Sequence, residues 1–135
     1  MDLRPGGEAT RKRVLVADDD ADLCALLVRV IEPLASVLTV HDGEAALEAV
    51  GTERFDAIVS DYMLPGISGL ELIRLLRAKP PTKATPILLI SGHDRGTLVE
   101  RAREAGADAF LGKPFTLQQL RQAIAGLLGP TATVA

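Results

Sequence analysis

Four side chains in this sequence can do chemistry together: Asp18, Asp19, Asp61 and Lys113. Each stands where a short apolar run breaks off at a charge. Val14-Leu15-Val16-Ala17 ends at Asp18-Asp19, Ala57-Ile58-Val59-Ser60 at Asp61, and Ala109-Phe110-Leu111-Gly112 at Lys113-Pro114. If the runs are parallel strands, their carboxyl ends share one edge, the edge at which open α/β sheets bind ligands. Three carboxylates and one ammonium would then converge there. Two unit charges about 4 Å apart repel by about 4 kcal/mol at an effective dielectric of about 20, so such a cluster calls for a divalent cation. An all-oxygen donor set with room for water suits Mg2+. A carboxylate at this edge can also attack phosphorus in line to give an acyl phosphate. Lys113 offers a compact positive charge for phosphate oxygens.

Hydropathy defines the elements that must position these groups. Apolar runs rich in Val, Ile or Leu predict strands over 13–17, 36–40, 56–60, 86–90 and 107–111, as expected of strands covered on both faces. The stretches between them follow helical spacing. Leu23, Leu27, Val30, Ile31 and Leu34 make one stripe, and Leu117, Leu120, Ile124 and Leu127 another. Ala46, Leu47 and Val50 serve the second helix, Leu72, Ile73 and Leu76 the third, and Leu98, Ala102 and Ala105 the fourth. Asp19 or Asp20 can cap the first helix, and Asp42-Gly43 opens the second. Pro80-Pro81 stops the third, Gly106 suits a left-handed position after the fourth, and Gly129-Pro130 ends the fifth. This alternation predicts an α/β fold, a five-stranded parallel sheet in a doubly wound (βα)5, flavodoxin-like arrangement with right-handed crossovers. The domain is expected over 12–129, between a flexible N-terminal arm at 1–11 and a disordered tail at 130–135.

Composition narrows the function classes. The 135 residues carry a net charge of −3, which gives no electrostatic reason to expect nucleic acid. Arg11-Lys12-Arg13 reads as a solvated strand start. With no Trp, one Tyr and three Phe, aliphatic residues and alanine must fill the core. Cys24 is the only cysteine; it excludes an intramolecular disulfide and is expected to pack in the first helix. No apolar run approaches the roughly 18 residues of a membrane span, and the first twelve residues lack the apolar stretch of a signal peptide. A cytoplasmic protein is expected. His41 and His93 have no partner at metal-ligand spacing and read as ordinary polar residues, although His93 could reach the mouth of the pocket.

Taken together, the motifs resemble the receiver domain of bacterial response regulators, the phosphoacceptor half of two-component signalling. The resemblance covers about residues 12–128. It is carried by Asp18-Asp19, by Asp61-Tyr62-Met63-Leu64-Pro65-Gly66-Ile67-Ser68-Gly69, by Ser91-Gly92, by Gly106-Ala107-Asp108-Ala109-Phe110, and by Lys113-Pro114-Phe115. It implies the strand order 2-1-3-4-5. It also implies a phosphoryl group taken onto Asp61 from the phosphohistidine of a histidine kinase or phosphotransfer protein. By the same resemblance Mg2+ is held by Asp19, Asp61 and the backbone carbonyl of Met63, with Asp18 holding a coordinated water. Lys113 and the Ser91 hydroxyl contact the phosphoryl group, and the Lys113-Pro114 bond is cis.

Ser91 and Phe110 are implied as the switch pair. Phe110 has no hydroxyl, so its part would rest on packing alone. The responding surface is the fourth helix, fifth strand and fifth helix, where an unknown downstream protein would bind. Arg95, Arg101, Arg103, Gln118 and Arg121 are candidates there, with ordinary solvation as the plainer role. Direct contact with nucleic acid or membrane is not expected. Such a domain is a switch with autophosphorylation and slow autodephosphorylation, not a metabolic enzyme. Six residues follow Gly129, too few for an output module, so the chain reads as a stand-alone receiver or a piece of a longer protein.

Two rivals share parts of this pattern. Val14 to Asp20 also resembles the nucleophile motif of haloacid-dehalogenase-like phosphatases, with Asp18 attacking and Asp20 as acid; the later acidic pair and cap domain of that class are missing. A flavodoxin-like cofactor binder would need a phosphate-cradling loop after the first strand. Three successive aspartates there would repel a phosphate.

Overall fold

Residues 11–92 and 95–129 are described by the structure, a computed structural model, and they form five βα units in succession. These are β1 (Arg13–Ala17), α1 (Ala21–Ile31), β2 (Ser36–Val40), α2 (Gly43–Thr52) and β3 (Ala57–Asp61). They continue with α3 (Gly69–Arg77), a 3-10 turn at Pro80–Thr82, β4 (Ile87–Ser91), α4 (Arg95–Ala105), β5 (Ala109–Gly112) and α5 (Leu117–Leu128). The sheet is parallel, in the order β2-β1-β3-β4-β5. The expected tail and, except for Arg11, the expected arm lie outside the described residues. Arg11 itself donates from its guanidinium to the carbonyls of Glu32 and Ala35 at the end of α1.

Side-chain alternation along each strand divides the interior into two cores. Val14 and Val16 face α1 and α5, packing with Leu27, Ile31, Leu120 and Ile124. Leu15 and Ala17 face the other way, toward Ala46, Leu72, Ile73 and Leu98 of α2, α3 and α4. β3 and β4 are buried along their whole length, which is why their sequences run apolar without a break. Cys24 sits in the first core, as expected of a packing residue.

Three strands are displaced from the hydropathy reading, each starting later than expected and ending one residue later. β3 starts at Ala57, because Asp56 receives the Arg13 amide on its side chain (2.8 Å) where a strand residue would offer its carbonyl. β4 starts at Ile87, since Pro86 has no N–H and only its carbonyl joins the sheet, accepting from Ile58 N at 2.9 Å. β5 starts at Ala109 rather than at residue 107. Gly106 turns at φ 117° and the Ala107 amide goes back to the carbonyl of Ala102, 2.9 Å, closing α4. Leu34 lies beyond the end of α1 but still packs on the first core. Leu117 leaves the expected stripe and is exposed. It lies in the first turn of α5, past the end of a four-residue β5, and Leu128 is buried at the helix's other end.

The amino ends of β4 and β5 are bound together by Arg77, at the C-terminus of α3. Its Nε donates to the Gly106 carbonyl (3.0 Å), its Nη1 to the carbonyls of Thr82 (2.9 Å) and Thr85 (2.7 Å), and its Nη2 meets Asp108 Oδ2 at 2.7 Å. The same Asp108 oxygen accepts from the Ile87 amide at 2.9 Å. Losing one charged donor therefore strands several carbonyls at once. Arg77→Met is expected to lower the unfolding free energy by about 3 kcal/mol, read from urea denaturation. Arg77→Lys should recover little of it, because one ammonium cannot span the same set of acceptors.

Candidate functional site

Strand order brings the charged residues together. β1 lies beside β3 with Ala17 opposite Ser60, so Asp18 and Asp61 emerge at neighbouring strand ends. Carboxylate oxygens of Asp18, Asp19 and Asp61 lie within 4.8 Å of one another. Lys113 reaches in from the end of β5, its Nζ 3.1 Å from Asp61 Oδ1. The other Asp61 oxygen accepts the Met63 amide at 3.1 Å. Asp61 is 6% exposed, and Asp18, at 1%, more deeply buried still.

Local structure holds each group in place. Asp20, not Asp19, caps α1, its Oδ1 accepting from the amides of Asp22 (2.9 Å) and Leu23 (3.2 Å). That leaves Asp18 and Asp19 for the cluster. Asp18 Oδ1 accepts from the Asp20 amide at 2.8 Å, while Asp18 Oδ2 is buried with no hydrogen-bond partner among the described residues. After β3, Tyr62 N donates to the Ile90 carbonyl and Gly69 N to the Tyr62 carbonyl, both at 2.8 Å, so the loop folds back before Ser68 caps α3. Met63 stands out of this loop, 56% exposed. The Lys113-Pro114 bond is cis, and Lys113 N donates to the Ser91 carbonyl at 2.8 Å, tying the ends of β4 and β5.

Ser91 is buried as the last residue of β4, opposite Gly112. It closes the strand instead of opening α4, which starts at Arg95. Phe110 is half-buried against the second core and pairs in register with Leu89. Arg101, Arg103, Gln118 and Arg121 are exposed; the side chain of Arg95, and His93, lie outside the described residues.

Two residues at the site were read from sequence as ordinary. His41 Nδ1 lies 3.1 Å from the carbonyl of Asp18, a contact in which the nitrogen must be the donor. Cys24 Sγ donates to the same carbonyl at 3.2 Å. A signal for His41 existed: it follows β2, and in the order 2-1-3 the end of β2 adjoins Asp18.

Three crowded carboxylates and an unpartnered buried oxygen fit a hard divalent cation with oxygen ligands. An acidic edge met by Lys113 sets this sheet apart from flavodoxin-like folds that cradle a phosphate in the loop after the first strand. The chain belongs to the response regulator receiver domain family, which matches residues 14–125. Receiver domains are signalling switches of two-component systems, not metabolic enzymes.

The transcriptional regulatory protein TcrA of Mycobacterium tuberculosis is 39% identical over 120 residues, covering 87% of this chain and 46% of TcrA. The chain thus spans about half the length of that relative. The chemotaxis regulator CheY4 of Vibrio cholerae superposes with a TM-score of 0.82 at 28% identity, covering 88% of this chain and all of that one. The receiver domain of the sensor histidine kinase PA1611 from Pseudomonas aeruginosa has a TM-score of 0.79 at 25% identity, covering 89% and 99% of the two chains. Its structure contains a magnesium ion coordinated in the active site cleft. The haloacid-dehalogenase-like alternative finds no support in these matches, and Asp18, its required nucleophile, is among the most buried polar residues described.

Burial drives the Asp18 carboxyl up from an ordinary 3.8 to about 6; the Asp20 amide opposes the rise, and the Asp61 charge adds to it. Burial likewise raises the Cys24 thiol, with the Asp18 charge second. A raised carboxyl favours the protonated folded form. Its contribution to stability is complete below about pH 3.8 and is lost as pH climbs through about 6. In EDTA, the wild type is therefore expected to lose about 3 kcal/mol relative to Asp18→Asn between roughly pH 4 and pH 7. Urea denaturation at a series of pH values measures this, and parallel pH profiles for the two proteins would contradict it.

Proposed function

We propose that this chain accepts a phosphoryl group from the phosphohistidine of a histidine kinase or phosphotransfer protein onto Asp61. The observation that carries the reading is the position of Asp61: a buried carboxylate touched by Lys113 and flanked by Asp18 and Asp19. One Asp61 oxygen attacks the phosphorus, the P–N bond to the donor imidazole breaks, and the electron pair leaves with that nitrogen, which takes up a proton. Lys113 lies where it can meet the incoming phosphoryl oxygens, exchanging a carboxylate partner for a phosphate one. Asp18, Asp19, Asp61 and the Met63 carbonyl would hold Mg2+, with Asp18 acting through a coordinated water. When bound, the ion supplies neutralising charge for the carboxylates and the transferred group. Water attacking the acyl phosphate reverses the modification slowly.

Ser91 and Phe110 translate the event. The Ser91 hydroxyl donates to a phosphoryl oxygen, and Phe110 repacks in the space so vacated. The surface of α4, β5 and α5 changes as a result and engages a downstream protein. A local change of charge thereby biases a two-state element. A lone buried thiol fits the reducing cytoplasm as the setting.

Incubation with acetyl phosphate and Mg2+ should add the mass of one phosphoryl group to the wild type, and none to Asp61→Asn or in the presence of EDTA. Lys113→Met should slow the reaction about 100-fold, as removal of one preorganised charge contact does. Sustained turnover of phosphate esters that is lost in Asp18→Asn but kept in Asp61→Asn would overturn the proposal.

A further inference from the structure

The junction between β2 and α2 touches both the turn that carries Asp18 and Asp19 and the loop that follows Asp61. On one side His41 contacts the Asp18 carbonyl. On the other, Gly43, the buried first residue of α2, meets Ile67 of the β3–α3 loop. A Cβ placed on Gly43 would stand 2.2 Å from Ile67 Cγ1 and 2.7 Å from Ile67 Cδ1, far inside contact distance. The backbone does not ask for glycine here, since the positive-φ glycines described are Gly66, Gly106 and Gly129. Alanine is also the better helix former. Space is the remaining reason.

The neighbour that fills this space cannot easily give way. Ile67 is β-branched, with few rotamers open to it. Its loop is closed by the Gly69 amide on the Tyr62 carbonyl at 2.8 Å. The loop's far end is equally tight, because a Cβ on Gly69 would lie 2.5 Å from the Asp61 carbonyl oxygen. Ile67 is half-buried, and a shift of its backbone carries the segment between Tyr62 and Ser68, where Met63 lies.

We propose that Gly43 and Ile67 form a packing clamp that positions the β3–α3 loop, and with it the Met63 carbonyl, for Mg2+. Both are positioning residues; neither touches the ion. The inference rests on the phosphoacceptor reading for the role of Met63. Its distinguishing feature is reciprocity: a methyl added at Gly43 does harm only while the Ile67 side chain is present.

Mg2+ alone, titrated into the unphosphorylated protein and followed by the amide NMR signals of Asp61 to Leu64, Gly66 and Ile67, tests it. Gly43→Ala should weaken Mg2+ about tenfold, the lower end of what loss of an outer support costs a metal site. Ile67→Ala, which crowds nothing, should also weaken it. The double variant Gly43→Ala with Ile67→Ala should bind more tightly than Gly43→Ala alone, a non-additivity that marks direct coupling. Phosphorylation by acetyl phosphate should follow the same order at low Mg2+ and converge when Mg2+ is saturating. Unchanged Mg2+ affinity in both single variants, or additive losses in the double, would overturn the clamp. Absence of saturable Mg2+ binding in the wild type would instead overturn the reading of the site itself.

Discussion

Crowding of three carboxylates at one strand edge governs this fold's functional site. Nothing in the packing of the two cores requires Asp18, Asp19 and Asp61 to share one corner. The strand order does so, and the protein answers only part of the resulting charge: Lys113 meets one oxygen of Asp61, and backbone amides meet one oxygen each of Asp18 and Asp61. One Asp18 oxygen is left buried without a hydrogen-bond partner among the described residues. Unsatisfied buried groups of this kind are rare in native proteins, and each asks for an explanation. The burial that shapes the site is also what raises the Asp18 carboxyl.

The scaffold around this edge is conventional in its forces. Apolar strands fill the middle layer and helices with one greasy face cover it on both sides. The turns hand each chain end to the next element through side-chain caps: Asp20, Asp42, Ser68 and Thr116. Capping falls to Asp20, so the acidic pair at the end of β1 has no helix to cap, although Asp18 Oδ1 still holds the Asp20 amide. Separation of the two tasks between adjacent aspartates lets the same turn both start a helix and present two carboxylates to the cluster.

Much of this was legible in the residues alone. Alternating runs and stripes placed all five strands and five helices, and charges at run ends picked out the side chains that the structure brings together at one edge. Boundaries slipped where a side chain or a missing N–H replaced a backbone hydrogen bond, as at Asp56 and Pro86, or where a helix end consumed the first amides, as at Ala107. Leu117 kept the helical period but had no sheet left to cover. His41 needed the strand order before its place beside Asp18 could be seen. The contact between Gly43 and Ile67 was beyond reach, because it joins residues far apart in the chain through space alone and leaves no periodicity behind.

Arg77 gives the sheet a mechanical asymmetry. Its guanidinium bolts β4 and β5 together at their amino ends, over and above the ladder that runs to Ser91 opposite Gly112 at the other end, where Lys113 N also donates to the Ser91 carbonyl. Any strain reaching the amino ends of these two strands would have to break several charged hydrogen bonds at once, because one guanidinium holds the turn after α3, the Gly106 carbonyl and Asp108 together.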